Sequence, residues 1–203
     1  ALTMHFGMSG VVRVEDAKVP RRKHEHVIIR LSDGKAFKFE DPRRFGFLEV
    51  QKLGADGWPE CLAGIGVEPL SREFSAKFLF NASRKRKKPV KEFIMDNAVV
   101  TGIGNIYAAE TLFASKIAPT RLAMNLTEED CERIVKNAKR ILKLAIKWGG
   151  TTVSDYRNVD GSEGKFVQKL KMYGKTNCPV CGTKIAKVTL GGRTSWYCPK
   201  CQK

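Results

Sequence analysis

Four cysteines near the end of the chain carry its most specific chemistry. Cys178-Pro-Val-Cys181, sixteen intervening residues and Cys198-Pro-Lys-Cys201 form two C-x-x-C knuckles, a spacing that gathers four thiolates tetrahedrally around one structural zinc ion with no open coordination position. Between the knuckles, residues 184–190 and 194–197 flank Gly191-Gly192-Arg193, so a metal there would clamp a β-hairpin with a basic tip. A unit this small buries too little apolar surface to fold alone, and zinc binding of about 10 to 16 kcal/mol would supply what the core lacks. Two disulfides are the alternative, disfavoured in a reducing cytosol. Cys61 and Cys131 fall outside this set. A second group is Gly102-Ile103-Gly104-Asn105, a glycine turn followed by an amide at a helix start. That arrangement aims backbone N–H groups and a side-chain amide at an anion and suits a DNA phosphate; a plain helical hairpin would use the same residues.

The elements that must hold these groups follow from composition and pattern. The chain has 203 residues, 42% hydrophobic and 29% charged, enough for one large or two modest folded domains. No apolar run approaches the ~20 residues of a membrane span, and no charged-then-apolar leader opens the chain, so neither a membrane protein nor a secreted one is expected. The net charge is +16, unevenly spread: residues 1–70 carry 11 Lys+Arg against 10 Asp+Glu, 71–150 carry 16 against 8, and 151–203 carry 10 against 3. Such loading fits a polyanion, nucleic acid first, facing the last two thirds of the chain. Residues 26–31 and 35–40 around Ser32-Asp33-Gly34, then 45–50 after Pro42, predict an antiparallel meander. Helices are predicted over 92–99 and 106–117. A third is capped by Thr127 with Glu128, Glu129 and Asp130 in its first turn, and it runs to Gly149-Gly150. Its apolar face includes Cys131, where a buried thiol is expected, and its lysine face is read as solvated. The predicted organisation is α+β, with boundaries at 1–70, 71–150, 151–173 and 174–203.

The run from Met95 to Glu110 resembles the helix-two-turns-helix motif of the bacterial formamidopyrimidine-DNA glycosylase family. Other family blocks follow in order: His5-Phe6-Gly7-Met8-Ser9-Gly10, Asp41-Pro42-Arg43-Arg44-Phe45-Gly46, Gly149-Gly150-Thr151-Thr152 and the cysteine hairpin. The resemblance covers essentially the whole chain. It implies part of an antiparallel β-sandwich domain, a helix-two-turns-helix domain and a C-terminal zinc β-hairpin, with DNA in the cleft between the first and the other two. It implies excision of oxidised purines such as 8-oxoguanine and formamidopyrimidines from double-stranded DNA, binding of abasic sites, and strand nicking by elimination. It further implies a monomer in the bacterial cytoplasm, brought to the nucleoid by its DNA. Met8, Arg43 and Phe45 match residues that fill the gap left by an everted base, Phe45 as a wedge and Arg43 facing the orphaned partner. Asn105 and Arg193 match phosphate clamps, with a part for Arg193 in the late elimination. His24 matches a DNA-contacting histidine, Arg86 stands where family members carry a DNA-contacting lysine, and residues 155–164 resemble a loop closing over the flipped base.

In that family the nucleophile is an N-terminal proline amine that attacks C1′, helped by a glutamate and a lysine. This sequence begins Ala1-Leu2-Thr3-Met4-His5 and is read as a fragment of a longer product, expected to be inactive by itself. Pro20 and Pro42 are internal, and no P-loop or Ser-His-Asp pattern offers another reaction. Two readings stand: a base-excision glycosylase and AP lyase seen without its catalytic segment, or a non-catalytic zinc-containing module that binds damaged or abasic DNA. A zinc-ribbon protein of the RNA or ribosome machinery is a third, against which the set of Met8, Arg43 and Phe45 argues.

Overall fold

The computed structural model describes residues 1–7, 9–55, 57–152 and 162–203. They form two compact units, residues 1–63 with 145–169 and residues 64–144 with 170–203. Among the described residues, no helix is long and apolar enough to cross a membrane.

The first unit holds five strands, β1 (Leu2–His5), β2 (Val11–Asp16), β3 (Glu25–Arg30), β4 (Lys35–Glu40) and β5 (Phe47–Val50). They make two antiparallel sheets, β1–β5 and β2–β4–β3. The predicted meander survives only as the β3–β4 hairpin, whose turn has Gly34 at φ 82°. β5 leaves β4 at the turn over residues 41–46 and pairs with β1, placing His5 opposite Phe47 and Leu2 opposite Val50. Gly46 permits that departure, because a Cβ there would lie 2.6 Å from the His5 carbonyl oxygen and 2.7 Å from the Phe39 ring. Ala36 and Phe39 of β4 are buried, whereas Leu2, Met4, Phe47 and Val50 of the β1–β5 pair are exposed. Later in this unit the Lys169 ammonium sits 4.4 Å over the Trp148 ring, and Phe166 is buried.

The second unit is built on α1 (Ala76–Ser83), α2 (Val90–Ile94), α3 (Asn105–Ser115) and most of α4 (Glu128–Lys147), followed by β6 (Ala186–Leu190) and β7 (Arg193–Tyr197). α4 starts where its cap predicts: the Asp130 N–H donates to Thr127 Oγ1 at 3.1 Å, and the Thr127 N–H donates to Asp130 Oδ2 at 3.0 Å. α2 is shorter and earlier than the predicted helix over 92–99. Asp96 ends it, turning its carboxylate to the Ala98 N–H at 3.1 Å and to the Lys88 ammonium at 2.5 Å, a local hydrogen bond that competes with helix continuation. Leu79, Phe93, Ile94, Leu112, Leu126 and Ile134 fill the core with Cys131, whose thiol burial pushes up to about 11.

Glu110, buried on α3, ties the cysteine hairpin to the helices. Its carboxylate accepts the backbone N–H groups of Lys171 at 2.9 Å, Met172 at 2.8 Å and Tyr173 at 2.9 Å. Met172 then joins Phe113, Cys178, Ile185 and Cys198 in a second small core, and the Tyr173 and Trp196 rings meet at 4.4 Å.

Candidate nucleic-acid interface and metal centre

In the first unit a buried carboxylate shapes the turn that carries Arg43 and Phe45. Asp41 accepts from Ser9 Oγ at 2.6 Å and from the Gly46 N–H at 2.7 Å. Its own N–H donates to the His24 carbonyl at 3.0 Å, and its carbonyl lies 3.1 Å from His26 Nε2. Burial alone would raise the carboxyl pKa, but the hydrogen bonds from Ser9 and the turn amides outweigh it and hold the group below its ordinary value. Pinned at both ends, the turn drives Arg44 into the left-handed region at φ 54°, an uncommon conformation for a residue with a side chain. Phe45 is left 56% exposed, with the Arg43 guanidinium 4.8 Å over its ring. An exposed aromatic braced by a cation on a rigid turn is suited to replace a lost base stack. His24 belongs to the same assembly through its carbonyl. Met8 lies outside the described residues, as do residues 153–161 of the predicted capping loop.

In the second unit the centre is a lysine that the sequence reading passed over. Lys91 of α2 is 1% exposed. Its ammonium donates to Asn105 Oδ1 at 2.5 Å, Ser195 Oγ at 2.6 Å and the Thr194 carbonyl at 3.2 Å. It therefore joins the first residue of α3 to β7, which Arg193 opens. Burial, with the Arg193 guanidinium nearby, pushes the Lys91 ammonium down to about 8. Arg193 itself is exposed, opposite Leu190 across a two-residue turn of Gly191 and Gly192 at φ 52° and 72°, the twist that hairpins favour. Lys88, Lys91, Glu92, Met95 and Arg193 are among the residues lining a pocket of about 220 Å³ there. Arg86 is not among the residues lining that pocket; it is exposed after α1, its carbonyl accepting the Met124 N–H at 3.1 Å. Behind the Lys88 hydrogen bond, its charge helps to lower the carboxyl pKa of Asp96, which does line the pocket. The sequence held only a weak signal for Lys91, which stands with Glu92 between Val90 and the apolar pair Phe93-Ile94.

The four knuckle cysteines converge at the base of the same hairpin, their sulfurs all within 4.8 Å of one another. Cys178 and Cys201 are 3.9 Å apart, and Cys181 and Cys198 3.5 Å. A tetrahedron with Zn–S of ~2.3 Å has edges of ~3.8 Å, so the donor set fits zinc.

Each part of this architecture matches a DNA glycosylase. Residues 1–48 match the formamidopyrimidine-DNA glycosylase N-terminal domain, residues 65–157 its H2TH domain, and residues 177–203 the zinc finger found in FPG and IleRS. The chain is 45% identical over 201 residues to the formamidopyrimidine-DNA glycosylase of Vibrio vulnificus (strain YJ016), covering 98% of this chain and 74% of that protein. With the enzyme of Pasteurella multocida (strain Pm70) it shares 47% over 202 residues, with the same coverage. Among solved structures it is similar to the MutM (Fpg) protein of Thermus thermophilus, with TM-score 0.87 and 35% identity over 99% of this chain and 75% of that one. A Lactococcus lactis Fpg in complex with abasic-site DNA gives 0.85 and 32%, over 100% and 74%. The chain belongs to the formamidopyrimidine-DNA glycosylase family.

Proposed function

We propose that this chain is the DNA-gripping part of a base-excision glycosylase and AP lyase that removes 8-oxoguanine and formamidopyrimidines from duplex DNA. The observation that carries the reading is the buried Lys91 ammonium, which fixes Asn105 and the hairpin bearing Arg193 to one point. Arg193 and Lys91 line one pocket, and Asn105 is held to the same ammonium, which supports a phosphate site there. A backbone phosphate held there gives register without base information. In the elimination that expels a phosphate, the Arg193 guanidinium would stabilise the leaving charge. Phe45 would wedge the stack with Met8, Arg43 would face the orphaned base, and His24 and Arg86 would meet the backbone. Cys178, Cys181, Cys198 and Cys201 would hold one structural zinc, which when bound keeps the hairpin folded. We further propose working boundaries at 1–70, 71–150, 151–173 and 174–203, and a monomer on DNA.

The test is binding to duplex carrying an abasic-site analogue against intact duplex. The chain should prefer the abasic duplex, and Phe45→Ala should erase most of that preference while general affinity persists. Equal binding to both duplexes by the unaltered chain would refute the reading. The complete gene product should release 8-oxoguanine and nick the strand.

A further inference from the structure

The β2–β3 connection of the first unit is eight residues, 17–24, long for a hairpin, where two to five is usual. It carries Lys18, Arg21, Arg22, Lys23 and His24 and no acid. The whole first unit is nearly balanced, 15 Lys+Arg against 12 Asp+Glu, so four of its fifteen cations stand in six consecutive residues.

An exposed connecting loop has no need of internal order, yet charged side chains, with Glu25 and Lys38 buried among them, tie this one at several points. The Arg22 guanidinium grips Glu15 with two hydrogen bonds, at 2.7 and 2.9 Å, and donates to Glu25 Oε1 at 2.7 Å. The Arg22 N–H donates to Glu25 Oε2 at 3.0 Å. Lys38, 2% exposed, reaches up from β4 to Glu15 at 2.9 Å and to the Val19 carbonyl at 2.6 Å. Arg21 Nε donates to the Glu25 carbonyl at 2.8 Å. Two carboxylates balance two cations, so the network is neutral, and hydrogen bonds from Arg22 hold the Glu15 carboxyl down to about 2. What remains for solvent is Lys18 and Lys23, both exposed, together with the free edge of Arg21. The loop ends at His24, whose carbonyl takes the Asp41 N–H, so its cations run into the turn that presents Arg43 and Phe45.

We propose that residues 17–24 form a preorganised phosphate-binding loop for the DNA backbone, in which Lys18 and Lys23 make the contacts and Glu15, Arg22 and Lys38 are positioning residues. This rests on the DNA-binding reading above. Preorganisation removes the ordering cost that a mobile basic loop would meet on binding, and phosphate contacts here would steady the duplex against the Arg43–Phe45 turn.

The experiment measures affinity for intact and abasic duplex over a salt series. Each phosphate neutralised contributes about −0.9 to the slope of log affinity against log salt. Lys18→Ala with Lys23→Ala should reduce the slope by about two and weaken both duplexes alike, preserving the abasic preference. Glu15→Gln with Arg22→Met, which removes one carboxylate and one cation together, should lower the slope in the same direction at unchanged helical content. A variant of purely structural effect would melt earlier while the remaining folded protein kept the full slope. The proposal is overturned if the double lysine variant, which leaves the buried network intact, retains the unaltered slope. If the unaltered chain itself shows no salt-dependent duplex binding, the functional reading fails along with this one.

Discussion

A buried ammonium beside a guanidinium makes the pocket lined by Lys91 and Arg193 sensitive to alkali. Lys91 titrates at about 8, below the ordinary 10.5. Between those values the unfolded chain keeps a proton that the folded chain has released, so this group's contribution to stability increases as pH rises through the window. The pocket loses a positive charge over the same range. DNA affinity should therefore fall as pH passes 8 without a matching drop in melting temperature, and Lys91→Met should bind more weakly at pH 7 but without that inflection. Asp41 has the same sense in the acid range. Its depressed pKa contributes stability that is present above the unfolded carboxyl value and lost as pH falls through the folded one. Asp41→Asn leaves one oxygen for what two accepted, at a cost of ~1 to 3 kcal/mol. It should lower the melting temperature and weaken abasic preference more than binding to intact duplex, as the Arg43–Phe45 turn loosens. A parallel loss on both duplexes would count against this role.

At the level of elements, the cysteine hairpin is where chemistry and fold coincide. Stripping metal with a chelator should abolish its protected structure, and metal analysis should return about one zinc per chain. Arg193→Ala should leave the metal in place, reduce the salt slope by about one and weaken every duplex similarly. The hairpin was legible because metal ligands in paired C-x-x-C knuckles are a local pattern. The Thr127 cap was legible for the same reason, its partner being only three residues away. α2 was misplaced because the Asp96 interactions with Ala98 and Lys88 that end it do not show in apolar periodicity. β5 was assigned to a meander because pairing with β1 spans more than forty residues.

Across the whole molecule, the second unit carries 22 Lys+Arg against 9 Asp+Glu and the first 15 against 12. General affinity for duplex should come mainly from the former, and discrimination of a gap from the Arg43–Phe45 turn in the latter. That division was partly visible as a charge gradient along the chain. The residues that make it precise were not, since Lys91 gains its meaning from Ser195 and Asp41 from Ser9, partners 104 and 32 positions away. Motif spacing nominated the groups proposed to touch DNA, and tertiary hydrogen bonds supplied partners such as Lys91 and Asp41 that motif spacing does not show.

The Glu110 carboxylate makes residues 171–173 behave unlike the irregular segment they belong to. Their amides are donors to a buried anion, so deuterium should reach them only when α3 separates from that segment. They are expected to exchange as slowly as the interior amides of α3, while nearby Lys175, whose N–H closes only a local turn onto Met172, exchanges fast. Glu110→Gln should accelerate all three together and, by freeing Met172 from the small core around Cys178 and Cys198, should let the cysteine hairpin open at lower denaturant than the helices.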